Sequence, residues 1–122
     1  MMGRFSRQKG KRGERLCAKE LSEQLGVPVR RGIQFAGGTD SPDCLIEVPT
    51  SLHIEAKLVE KLNIYSAMAQ AVDDASEKKI PLVWQKRSRE ASLVTVRTQD
   101  LAEFVKEAAR LIQLEANTTP KD

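Results

Sequence analysis

The chain has one histidine, one tryptophan and one tyrosine among its 122 residues, and only two cysteines. Those cysteines, Cys17 and Cys44, form no C-x-x-C pair and have only His53 as an imidazole companion. A zinc site is therefore not expected, and the two thiols read as ordinary buried groups. No stretch approaches the roughly 20 apolar residues that span a bilayer, and the N-terminus lacks the apolar segment of a secretory signal. The protein is expected to work in the cytoplasm. With aromatics at 4 % of the composition, Trp84 and Tyr65 read as core residues, not as stacking platforms for bases. Sequence-specific readout of a nucleic acid has little support.

Hydrophobic residues make up 40 % of the chain, which suits one domain with a genuine core and is too short a length for two. The net charge of +3 is unevenly distributed. Residues 1–19 hold Arg4, Arg7, Lys9, Lys11, Arg12, Arg15 and Lys19 against the single acid Glu14, and the remainder is slightly acidic. A basic run beside a folded domain most simply meets phosphate, because Lys and Arg gain affinity by displacing counterions from nucleic acid. The organisation expected is a basic arm over 1–10, one domain over 11–116 and a disordered tail over 117–122.

Hydrophobic periodicity orders the elements. Cys17, Ala18, Leu21 and Leu25 recur at helical spacing over residues 11–25, and Gly26 with Pro28 ends that helix. A short strand over 27–34 and a Gly-rich loop, Phe35 to Pro42, follow. Residues 43–48 and 51–59 read as a hairpin around Pro49. A second helix lies between Asn63 and Glu77, two strands cover 80–85 and 91–97, and a final helix spans 99–115 with Thr98 as its cap. Helix, three strands, helix, two strands, helix suits a mixed sheet with helices on both sides, an α/β fold.

The chemistry concentrates on the hairpin. Alternation puts His53, Glu55 and Lys57 on one strand face and Leu52, Ile54, Ala56 and Leu58 on the other. Folding about Pro49 sets Asp43 opposite Glu55, Cys44 opposite Ile54 and Ile46 opposite Leu52, although a shift by two would keep the same faces. Two carboxylates so close raise each other's pKa unless a positive charge sits between them. A divalent metal fits, and hard oxygen donors in an open site suit Mg2+, with Mn2+ able to substitute. Lys57 can orient or deprotonate an attacking water, or offset charge on a phosphate. An ordinary cross-strand ion pair explains the same spacing. Glu14 weighs against that plainer account, because it sits at the centre of the apolar stripe of its helix and needs a partner there: a metal, a metal-bound water or a lysine.

These residues resemble the PD-(D/E)xK nuclease superfamily, with Pro42-Asp43 as the first half-motif and Glu55-Ala56-Lys57 as the second. Lys9-Gly10 before Glu14, the Gly-rich loop and the chain length are most similar to archaeal-type Holliday junction resolvases and their small phage-borne relatives. The resemblance covers residues 9–97. It implies a restriction-endonuclease-like fold and a metal-dependent DNA endonuclease acting in the host cytoplasm. Asp43 and Glu55 would bind the metal with the Ala56 carbonyl, Glu14 would complete the acidic cluster, and Lys57 would assist the water. Resolvase relatives often carry a hydroxyl in the loop before Pro-Asp, and Thr39 and Ser41 both qualify. Gln70 matches a glutamine often seen on the helix after E-x-K. A helical wheel, however, puts it on the polar side with Asn63, Ser66 and Asp73, where a solvated role is equally open. His53 reads as a bystander near the rim.

The substrate implied is branched or structured DNA, gripped along its backbone by Arg4, Arg7, Lys9, Lys11, Arg30 and Arg31. Symmetric cutting of a four-way junction calls for a homodimer, for which the final helix could supply an apolar patch. Two alternatives stand beside it: a nickase or general DNA-processing nuclease of a phage or mobile element, and a basic DNA-binding module without chemistry.

Overall fold

In the computed structural model the described residues are 2–32 and 42–118, with side chains described for 10–32 and 42–114. The elements in chain order are α1 (Met2–Leu25), β1 (Val29–Arg31), β2 (Cys44–Ile46), β3 (Leu52–Leu58), α2 (Ile64–Asp74), β4 (Ile80–Lys86), β5 (Leu93–Thr95) and, after a 3₁₀ turn at Thr98–Asp100, α3 (Leu101–Thr118). The five strands form one sheet in sequential order. β1, β2 and β3 pair antiparallel, β3 and β4 pair parallel, and β4 pairs antiparallel with β5. The parallel step needs a crossover, and α2 is that crossover. The mixed sheet with three helices is the α/β arrangement that the element order suggested, and it is consistent with the restriction-endonuclease-like fold that the resemblance implied.

The hairpin register is the expected one, with Cys44 paired to Ile54. Ile54, Leu52, Cys44 and Ile46 therefore bury one sheet face against Cys17 and Ala18 of α1, with Leu111 of α3 in the same cluster. The opposite face carries Val83, which packs under Ala67, Met68 and Ala71 of α2. Asn63 caps α2 by accepting a hydrogen bond from the Ser66 N–H at 3.1 Å. Trp84 is buried as expected, and its indole N–H donates to Glu20 of α1 at 2.9 Å. Ser92 of the β4–β5 connection donates to the same carboxylate. α1 also rests directly on β3: a Cβ at Gly13 would lie 2.9 Å from the Leu58 Cβ, so only glycine allows that approach.

Several boundaries differ from expectation. α1 begins at Met2, not at residue 11, because the basic segment has no proline and is rich in good helix formers. β1, β2 and β5 are three residues each, shorter than the expected 27–34, 43–48 and 91–97. Thr98 does not cap α3; it opens the 3₁₀ turn, whose N-cap, Arg97, makes no side-chain capping bond. α3 extends through Thr118, past the expected end at 115, and the remainder of the expected tail, 119–122, lies outside the described residues. Tyr65, read as a core residue, is 86 % exposed on the outer side of α2.

One carboxylate clamps α3 to the β2–β3 turn. Glu107 accepts from the Thr50 hydroxyl, from the Ser51 N–H at 3.1 Å and from Arg110 at 2.7 Å, while Arg110 also reaches the Pro49 carbonyl at 2.7 Å. The Arg110 guanidinium and these hydrogen bonds hold the Glu107 pKa down to about 2, from an ordinary 4.5. Because the folded value is the lower, ionised Glu107 stabilises the fold above pH 4.5, and the contribution fades as pH falls toward 2. Glu107→Gln is expected to cost about 1–2 kcal/mol at neutral pH. Thermal unfolding of both proteins across that acidic window should show the gap closing as the native carboxylate takes up its proton.

Candidate active site

The site is built across the β2–β3 ladder, where the backbone fixes Asp43 twice. The Asp43 N–H donates to the Ile54 carbonyl at 2.9 Å, and its Oδ2 accepts the Ala56 N–H at 2.8 Å. This second bond sets the carboxylate beside that of Glu55, close enough for each to feel the other's charge. Glu55 is 5 % exposed and lies among apolar neighbours on the central strand. Burial, reinforced by Asp43, raises its pKa, against the lowering effect of His53. His53 Nε2 lies 2.9 Å from Glu55 Oε1.

His53 is therefore not at the rim. It is 2 % exposed, because β3 is flanked by strands on both sides and covered on both faces. Alternation had placed it on the Glu55 face; the apolar residues on either side of it were the available sign of burial.

Glu14 comes to the same end of the sheet from α1. Burial and the proximity of Asp43 raise its pKa, while Arg31 and Lys11 pull it down. Its partner is Arg31, with Nε 3.5 Å from Glu14 Oε1, and so an arginine stands where a metal, its water or a lysine was expected. One turn further on, Cys17 packs in the same buried cluster as Cys44, whose Sγ donates to the Glu14 carbonyl at 3.3 Å. Both cysteines are free and buried, as expected. The neighbouring Cys44, with burial, pushes the Cys17 thiol up so that it stays protonated, and this packing seats α1 on β2 beside Asp43.

Lys57 points from the same face as Glu55, and its Nζ donates to Gln70 Oε1 of α2 at 3.0 Å. Gln70 thus leans onto the sheet rim. The wheel that grouped it with Asn63, Ser66 and Asp73 described the helix correctly, but could not show which edge of the polar side overhangs β3.

The basic residues divide into three groups. Arg30 is engaged with Glu47 at 3.0 Å, Arg31 with Glu14, and Lys11 is exposed on α1 within electrostatic reach of Glu14. Arg4, Arg7 and Lys9 lie along the first turns of α1, where side chains are outside the described residues. Thr39 and Ser41 are likewise outside the described residues.

The donor set has the chemistry of a hard divalent cation. Two carboxyls press together in a poorly solvated place, which a cation between them would relieve, and the adjoining Ala56 carbonyl adds a neutral oxygen. Among the described residues no three Asp, Glu, His or Cys side chains form a ready-made metal cage. An open site of this kind suits an ion that keeps several of its waters.

An acid on the first helix, Pro-Asp at the start of β2 and Glu-x-Lys on β3, all at one end of a mixed sheet, define a PD-(D/E)xK nuclease fold. The family model described as "Phage putative PDDEXK endonuclease" matches residues 5–120, and the chain belongs to that family. No curated protein and no solved structure matches the chain.

Gly32 closes the base of the loop that leads to Asp43. Its N–H donates to the Asp43 carbonyl at 2.8 Å, and a Cβ here would stand 2.0 Å from the Pro42 carbonyl oxygen. That oxygen is backbone and cannot swing aside. Gly32→Ala is expected to push β1 away from Asp43 and to destabilise the fold by about 1–3 kcal/mol, read by urea unfolding.

Proposed function

We propose that this protein is a metal-dependent endonuclease that hydrolyses phosphodiester bonds in DNA, with Asp43, Glu55, Lys57 and Glu14 as its working residues. The observation that carries the reading is the contact between the Asp43 and Glu55 carboxyls beside a lysine that Gln70 holds in place. Asp43, Glu55 and the Ala56 carbonyl would hold Mg2+, or Mn2+ in its stead, with Glu14 completing the acidic cluster. When bound, the ion supplies the positive charge that draws in a phosphate and eases formation of the nucleophile.

The chain's own residues do the rest. The Ala56 N–H fixes Asp43, so its second oxygen faces the site. His53 keeps Glu55 from rotating away. Lys57, positioned by the Gln70 oxygen, hydrogen-bonds the attacking water or a non-bridging phosphate oxygen as negative charge builds there. The water oxygen bonds to phosphorus as it gives up a proton to solvent, the bond from phosphorus to one ester oxygen breaks, and the departing oxygen takes up a proton from solvent to leave as a hydroxyl. Arg31 shields Glu14 from its acidic neighbours. Lys11, with Arg4, Arg7 and Lys9 on the same helix, would meet the DNA backbone, with Arg30, paired to Glu47, set to one side of that track.

A structure-selective, resolvase-like role on branched DNA is the favoured specialisation, with two subunits cutting opposing strands. Its support is the outer side of α3, where Leu101, Val105 and Ile112 are exposed at spacings of four and seven. With Ala108 between them they make an uncharged seam of the kind that a second copy of the same helix can cover.

The test is cleavage of a four-way junction, a flap, a linear duplex and a single strand, with Mg2+, Mn2+ or EDTA. Metal-dependent cutting is expected, reduced about a hundredfold or more in Asp43→Ala. Paired cuts on the junction by a dimer, as sized by light scattering, support the resolvase role. Cuts confined to the other DNAs by a monomer point to a nickase or general processing nuclease, and binding without any cutting to a non-catalytic module. Gln70→Ala is expected to lower kcat roughly tenfold, about the worth of one charge-assisted hydrogen bond, with little change in melting temperature.

A further inference from the structure

Among the described residues, the sheet face that carries Glu55 is roofed by α2 over β4 and the adjoining part of β3, and α2 does not pack over β1 and β2. Register lays out what the strands beyond α2 present. Arg30 pairs with Leu45, the Cys44–Ile54 register sets Leu45 opposite His53, and His53 pairs with Pro81. These residues form one row across four strands, about 7 Å along the strands from the row of Asp43 and Glu55.

Arg30, Leu45 and His53 of that row line a groove of about 540 Å3, within the roughly 300–1,000 Å3 range of small-molecule sites, while Pro81 is buried. Leu45 and Pro49 give it an apolar floor and wall, Arg30 and Lys79 bring donors to its rim, and Glu47 brings an acceptor. His53, which lines the groove and lies 2.9 Å from Glu55, stands between it and the carboxylate site.

The electrostatics of the rim select the occupant. Arg30 is matched by Glu47 at 3.0 Å, and Lys79, which donates to the Thr50 carbonyl at 2.6 Å, keeps its charge at the edge of the groove. The rim thus pairs part of its charge and presents a largely apolar floor between its polar groups. It suits a flat, neutral group with an apolar face and with donors and acceptors along its edge. A nucleobase has that chemistry, and at this distance from the carboxylates it belongs to a nucleotide beside the bond to be cut. A base stacked and paired within a continuous duplex cannot present its face to the groove.

We propose that this groove is a nucleobase site that takes an unpaired base next to the scissile phosphate, so that the enzyme favours DNA with unpaired nucleotides at the cut. The choice of ligand rests on the nuclease reading above.

Two measurements separate the inference from that reading. In the first, 2-aminopurine is placed singly along a duplex with a three-nucleotide gap, and again along the same duplex without one. Its fluorescence is followed on adding protein in EDTA, without turnover. A change is expected at one or two unpaired positions only, and Leu45→Trp, which fills the groove, is expected to abolish it. In the second, the native protein is given gapped DNA in which the unpaired nucleotides are made abasic one at a time. Cutting is expected to fall about tenfold at the position that lost its fluorescence response, in keeping with the worth of one stacked base. No fluorescence change at any unpaired position, or equal cutting of all abasic substrates, overturns the nucleobase site while leaving the nuclease intact. Absence of cutting on every DNA overturns the nuclease reading, and the fluorescence result still decides the groove. The abasic series uses only native protein, so it stands even if Leu45→Trp does not fold.

Discussion

The hydrogen bond from the Ala56 N–H to the Asp43 carboxylate is the constraint on which the site depends. It puts a side chain where a strand ladder would ordinarily place a carbonyl, and so turns β2 aside at the moment the chain enters the sheet. The Asp43 main chain meanwhile stays in the ladder, through Ile54 on one side and Gly32 on the other. The carboxylate therefore inherits the rigidity of the sheet instead of the looseness of the loop before it. Glu55 needs no such device, since it sits on the central strand. The two carboxyls are forced together by backbone geometry, and their mutual repulsion is the strain that a bound cation would release.

The supports around this pair come from three directions, and each serves the fold as well as the site. α1 brings Glu14 and is seated by the packing of Cys17 with Cys44 and by the close approach at Gly13. α2 is obligatory for the parallel β3–β4 step and also delivers Gln70 to Lys57. α3 stays remote from the acids, yet its Glu107 clamp holds the turn at which the Asp43 strand and the Glu55 strand meet. Stability and site geometry are for this reason hard to separate by mutation of the core, and better separated at surface-facing partners such as Gln70.

Much of this was legible in the sequence because period-two alternation is a strong constraint once one strand face is buried. It narrowed the hairpin to the Cys44–Ile54 register or one shifted by two, and the structure adopts the first, which brings Asp43 to Glu55. The fold followed from element order, and the helical position of Glu14 foretold its half-buried setting. What escaped was the set of relations that no local pattern encodes. His53 was placed at the rim because strand alternation gives a face but not the depth of cover over it. Tyr65 was placed in the core because its aromatic character says nothing about which side of α2 it occupies. Gln70 lay on a polar helix side whose edge happens to overhang the sheet. Arg31 was assigned to DNA, although β1 carries it to Glu14, a contact between residues 17 positions apart. Side chains at strand ends choose partners by tertiary geometry, which spacing alone does not supply.

The bond between Trp84 and Glu20 has a practical side. Trp84 is the chain's sole tryptophan, buried under the helix whose opening turns are the most basic stretch of the molecule. The indole is thus a native chromophore at the seam between α1 and the sheet. Any event that tugs on that helix from its charged end is transmitted along one rigid rod to the indole, and its emission colour becomes a gauge of how firmly the helix is seated.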